Sequence, residues 1–307
     1  MNTPDDNPKK RNPVSTGIPA FLRDPVAVAK ISTCVVCFGI LYYSVFQSMV
    51  YAWSNDPNFS HGFLIPFISL FLVWQRSQEL EQLPAAPCNP GILVIITGLF
   101  FLMVGNLAAE YFIQRISFIV VLCGIILFLF GRQHLKLLSF PLIYLIFMIP
   151  LPSILMLKIT FPMQMLAAKA ATYSLQLLDI TVFREGTVVH LAENSLEVER
   201  ACSGIRSLIS LLALGAVLAY FVNRLNWQRA VVVFSCIPIA ILINAFRVSM
   251  TGILANYYGI EAAEGFLHGF SGAVLYFAGL LLVAVVAVFL SKIYKAQGSG
   301  RRAQGAR

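Results

Sequence analysis

Apolar residues gather along this chain into eight long stretches, at 27–52, 61–75, 91–109, 114–131, 138–157, 202–222, 230–252 and 266–291. About 20 apolar residues in an α-helix cross a hydrocarbon core ~30 Å thick, and shorter or tilted segments are tolerated. The pattern predicts an all-α integral membrane protein with about eight transmembrane helices, of which 61–75 is the shortest. No internal repeat and no second soluble domain stands out. Three regions follow: a disordered, Pro-rich basic tail over 1–25, a multi-pass membrane domain over 26–291 and a second basic tail over 292–307.

One stretch departs from this pattern. Residues 161–180 have helical periodicity but carry Gln164, Lys169, Thr172, Ser174 and Gln176. That mixture predicts an amphipathic helix lying in the outer interface; a crossing here would invert every later loop. The longest polar loop follows, about 181–200, and 186–198 within it reads as a small β-hairpin.

Composition and charge sharpen the picture. The 307 residues are 58% hydrophobic and 12% charged, about half the charged fraction of a soluble domain. The net charge of +8 follows from topology and calls for no nucleic-acid partner. With the N-terminus in the cytoplasm, the inside segments hold fourteen Lys and Arg and the outside segments five. That is the positive-inside bias, and it puts both termini in the cytoplasm. The polar N-terminus runs into a long apolar stretch without a small-residue cleavage site, so it reads as an anchor and not as a removed signal. Cys34, Cys37, Cys123 and Cys236 sit in apolar runs as packing residues, and the Cys34–Cys37 spacing lacks the βαβ context of a redox pair.

The same topology places reactive side chains together. Cys202 opens the sixth stretch at its outer end, and His61 and His268 open the second and eighth. Arg247 lies near the outer end of the seventh, because 17 residues of helix rise ~25 Å. Plain readings exist for most of them. A histidine at a span's start is often interfacial, a lone cysteine at a helix end often packs, and Arg206 can snorkel from one turn inside. Arg247 is harder to dismiss, since a cation within a span costs several kcal/mol unless it faces a polar cavity or a partner. Asn244, three residues earlier, shares its helix face. Read chemically, Cys202 is a nucleophile whose thiolate is favoured by nearby positive charge and a helix amino end. His268 is an acid/base and Arg247 an oxyanion clamp, a sufficient set for acyl transfer. No metal-ligand spacing and no phosphate-cradling glycine loop competes, so neither metal nor cofactor is implied.

Five ordered stretches carry a family resemblance. They are Ser60-His61-Gly62-Phe63-Leu64-Ile65-Pro66, the run Phe140-Pro141 to Leu151-Pro152, Leu196-Glu197-Val198-Glu199-Arg200-Ala201-Cys202-Ser203-Gly204-Ile205-Arg206-Ser207-Leu208, Asn244-Ala245-Phe246-Arg247-Val248, and His268-Gly269-Phe270-Ser271-Gly272. With these the chain resembles the exosortases, in the bacterial branch of the exosortase/archaeosortase family, over residues 30–290. The resemblance implies a cysteine protease/transpeptidase of the bacterial inner membrane, with its active site on the extracytoplasmic side. It implies partners too: exported proteins whose C-terminal sorting signal combines a short motif such as Pro-Glu-Pro, a transmembrane helix and a basic tail, together with membrane lipids and an unknown acceptor. Exosortase genes commonly accompany exopolysaccharide loci. The family's Cys, Arg and His map onto Cys202, Arg247 and His268, with Arg206, Glu199, His61 and Asn244 as supporting positions. The rival reading is a transporter or assembly factor for exopolysaccharide or lipid-linked sugar, in which Cys202 is incidental.

Overall fold

The computed structural model describes residues 25–192, 195–198, 204–223, 225–259 and 266–304, and of 27, 266–270 and 294–304 the backbone alone. Its helices are α1 Pro25–Asn55, α2 Leu64–Gln75, α3 Ser77–Gln82, α4 Pro90–Leu107, α5 Tyr111–Phe130, α6 Arg132–Leu137, α7 Ser139–Tyr144 and α8 Ser153–Gln176, then α9 Gly204–Val222, α10 Asn226–Tyr258 and α11 Phe266–Gln304. Two 3-10 turns, Pro57–Phe63 and Leu145–Met148, precede α2 and follow α7. Between α8 and α9 lies a small antiparallel sheet, in order β1 Val182–Glu185, β2 Val188–Leu191 and β3 Ser195–Glu197.

Among the described residues, eight helical segments are long and apolar enough to cross a membrane. Their outward faces carry large apolar side chains such as Ile40, Phe67, Leu93, Phe234 and Phe289. Large apolar side chains exposed along helices of this length suit lipid as their solvent. The protein is an all-α integral membrane protein.

The fifth long helix is not the one expected. The apolar run 138–157 does not form a single helix: α7 ends at Tyr144, a 3-10 turn follows, and Pro150 and Pro152 stop the chain from continuing as a helix. Proline lacks the N–H that a helix needs and keeps the residue before it out of the α conformation. The helix restarts as α8 at Ser153 and runs 24 residues, straight through the segment expected to lie in the interface. At the other end of the chain, α11 continues to Gln304, so much of the expected basic tail is helical.

Two compact units divide the chain, one comprising residues up to Gln47 with Ser69–Ile143, the other Ser48–Ile68 with Tyr144 onward. In the first, α4 and α5 form a tight antiparallel hairpin. Gly91, Gly98 and Gly105 recur every seven residues, two helical turns, and so line one face of α4. A Cβ at Gly98 would sit 3.0 Å from the backbone nitrogen of Val121, and one at Gly105 2.8 Å from that of Gln114. Small residues that bring backbones this close are how helices pack when lipid removes the hydrophobic drive between them. Buried polar side chains here are paired: Gln114 Nε2 donates to the Gly105 carbonyl at 3.0 Å, Ser117 Oγ to that of Gln114 at 2.6 Å, and the Tyr42 hydroxyl lies 3.0 Å from Ser117 Oγ.

In the second unit α8, α9, α10 and α11 share an apolar core that includes Met163, Leu211, Val232, Cys236, Ala240 and Val283. A second cluster joins Ala167, Ala168, Ala171 and Leu175 of α8 to Val248 and Ala255 of α10 and to Val189, Leu191 and Leu196 of the sheet. The hydroxyls of Ser174 and Ser249 stand 3.3 Å apart, and Leu175 reaches Gly252. The later half of α8 therefore runs parallel to α10 along its length. That is the packing of one membrane-length helix on another, held by a stripe of alanines.

Candidate functional site

Side-chain contacts fix the register of the helices around Arg247. Gln228 Nε2 donates to the Leu290 carbonyl at 2.9 Å, Ile239 and Ile243 lie against Gly279, and Arg247 lies against Gly272. Numbers on α11 fall as those on α10 rise, so the two helices are antiparallel. Asn223 Nδ2 donates to the Ala287 carbonyl at 3.1 Å and Leu211 reaches the Gly279 face, so α9 runs parallel to α11. Two turns back from this contact, Leu211 leads to Gly204 and Gly279 to Gly272. The amino end of α9 thus falls at the level of the Arg247 guanidinium.

Arg247 is 8% exposed and Asn244 3%. Thr251 is also buried, and its hydroxyl donates to the Arg247 carbonyl at 3.0 Å. Positions 244, 247, 248, 251 and 255 follow helical spacing, so they share one face of α10. Val248 and Ala255 are apolar members of that face, which makes Asn244, Arg247 and Thr251 a polar notch in it. The other wall is Gly272 of α11. A Cβ there would stand 2.9 Å from one terminal nitrogen of Arg247, 3.1 Å from Cζ and 3.3 Å from the other nitrogen.

The positions singled out in the sequence separate as follows. Arg247 and Asn244 are buried together. Position 268 lies on α11 four residues before Gly272, one turn away on the same face. Arg206, in the first turn of α9, has an exposed side chain, in keeping with a snorkelling residue. Cys202 and Glu199 lie outside the described residues. His61 sits in the first 3-10 turn, with Nε2 3.2 Å from the Phe147 carbonyl in the second. Trp53 Nε1 donates to the neighbouring Met148 carbonyl at 2.8 Å, and Asp56 caps the first turn by accepting from Asn58 N at 2.8 Å. His61 therefore helps tie two turns together. Sequence reasoning noticed Gly272 only as part of a resembling motif. The signal that could have found it is its spacing of four from His268.

A multi-pass bundle with an arginine buried between packed helices defines a polytopic membrane protein holding a cationic site within its helices. The family model described as transmembrane exosortase matches residues 53–285, and the chain belongs to the exosortase family. It is accordingly a membrane protein of protein sorting or processing. No curated protein and no solved structure gives a significant match.

Proposed function

We propose that this protein is a membrane-embedded cysteine peptidase and transpeptidase that cleaves the C-terminal sorting signals of exported proteins. The site faces the extracytoplasmic side of the bacterial inner membrane, a side that the positive-inside bias of the loops supports. Cys202 attacks as its thiolate, which positive charge and the amino end of α9 favour. A C–S bond forms and the scissile carbonyl oxygen takes the negative charge, which the Arg247 guanidinium offsets. The C–N bond then breaks, His268 gives its proton to the leaving amine, and a thioester remains on Cys202. An acceptor nucleophile attacks the thioester, its proton passes to His268, and the thiolate is released; water in place of the acceptor gives hydrolysis. Asn244 supports the site from the same face of α10.

The observation that carries this reading is the Arg247 guanidinium buried against Gly272, one turn from position 268 and level with the start of the helix that follows Cys202. The test is processing of a co-expressed protein bearing such a sorting signal, with each variant's level in the membrane measured. Wild type is expected to shorten the substrate, and Cys202→Ala to leave it at full length. Normal processing by Cys202→Ala would overturn the reading in favour of a transporter or assembly role.

A further inference from the structure

We propose that Gly272 is a positioning residue for the reaction, the bare surface on which the Arg247 guanidinium is seated; the inference rests on the role given to Arg247 above. Three distances define the seat. Both terminal nitrogens and Cζ lie at nearly the same distance from the point where a Cβ would be, 2.9, 3.3 and 3.1 Å. A guanidinium approached through its N–H fork would hold its carbon well behind the nitrogens. Near-equal distances mean that it presents its flat face to Gly272. All five N–H donors lie in the plane of that group. Seated flat, the group aims its donors across the surface of α11 and not into it.

Gly272 differs from the glycines that serve helix packing. Gly91, Gly98, Gly105 and Gly124 admit a neighbouring backbone, and Gly215 and Gly279 admit Cys236 and Ile243. Gly272 faces a charged side chain instead. It also sits inside a helix, where glycine is a poor former and needs a packing reason to be there. The reason here is the thickness of one methyl group.

That thickness matters because of where the adjustment would fall. The atoms a new Cβ would meet are the far end of a flexible side chain, so the guanidinium moves by a few tenths of an ångström and the helices stay packed. An oxyanion is stabilised by donors ~2.7–3.1 Å away, and a shift of this size spoils that geometry. Gly272→Ala is therefore expected to spare the fold and slow the chemistry.

The experiment is a pulse-chase of a co-expressed fusion carrying a Pro-Glu-Pro motif, a transmembrane helix and a basic tail, with rates expressed per molecule of full-length enzyme in the membrane. Gly272→Ala is expected at normal protein level with processing about tenfold slower. In an Arg247→Lys background the same change is expected to alter the rate by less than about twofold, because lysine has no planar group to seat. Gly279→Ala, which crowds Ile243 two turns along α11, is expected to lower the amount of protein and not its rate per molecule. If Arg247→Lys is inactive, the contrast between Gly272→Ala and Gly279→Ala decides alone. A wild-type rate for Gly272→Ala, with Cys202→Ala and Arg247→Ala inactive, overturns the positioning role and leaves the enzyme. An equal loss in the wild-type and Arg247→Lys backgrounds also overturns it, since the effect would then run through helix packing. Normal processing by Cys202→Ala removes the parent reading and this inference with it.

Discussion

Two arginines of this protein are buried to the same degree, Arg115 and Arg247, each 8% exposed. Their surroundings differ. Arg115 lies in the second turn of α5, its guanidinium carbon 5.5 Å from the centre of the Tyr111 ring one turn earlier. Its charge also acts with Glu110, which caps the same helix by accepting from Phe112 N at 3.3 Å. Both of these neighbours, Tyr111 and Glu110, belong to the start of the same helix. Arg247 instead lies deep in α10 and rests on a glycine of another helix. Burial in a membrane marks both arginines as costly. Arg247 has a seat on another helix, which marks it as a candidate catalytic cation, whereas Arg115 stacks on its own helix end.

The contrast can be broken most directly by truncating both arginines. Arg247→Ala is expected to slow processing per molecule about 10²–10³-fold, the usual cost of losing an oxyanion donor. Arg115→Ala is expected to lower the amount of protein in the membrane while leaving the rate per molecule within about twofold, as loss of a local structural pair should. Pulse-chase rates normalised to protein level measure both, and equal catalytic losses would erase the distinction. Next in size is the α4–α5 hairpin, where glycine serves backbone packing. Gly98→Leu should lower stability by about 1–3 kcal/mol through overpacking, read by thermal unfolding in detergent. His61→Ala removes the bond to the Phe147 carbonyl and should cost about 1 kcal/mol by the same measurement, with processing intact. Smallest is Thr251→Val, which gives up a bond from the hydroxyl to the carbonyl one turn back and should stay within about 0.5 kcal/mol.

Hydropathy made the number of long helices legible, and length alone was enough for most of them. It misjudged the fifth because it counts apolar residues and ignores what proline does to the backbone at Pro150 and Pro152. It also undervalued α8. Ala167, Ala168 and Ala171 contribute little to a hydrophobic stripe, and Lys169 and Gln176 give the segment an interfacial look. Small residues are nonetheless what lets two membrane helices touch, and these three are buried against α10 and the sheet. The hairpin expected over 186–198 is present as β2 and β3, with β1 added from residues 182–185. That extra strand has too little alternation to announce itself in four residues. At the site, Arg247 was legible because a cation within a span carries an energetic cost that sequence reveals. Gly272 was not, because a residue without a side chain carries no sign of what will lie over it.

If the site around Arg247 serves a thiol on Cys202, that thiol must carry the acyl group during turnover. The most direct measurement is acid quenching of purified full-length enzyme, reconstituted in liposomes with a sorting-signal substrate, followed by mass analysis of the Cys202 peptide. A thiol mechanism gives a hydroxylamine-sensitive acyl adduct on Cys202 that Cys202→Ala cannot form. Cleaved substrate with no adduct, together with undiminished cleavage by Cys202→Ala, would contradict it.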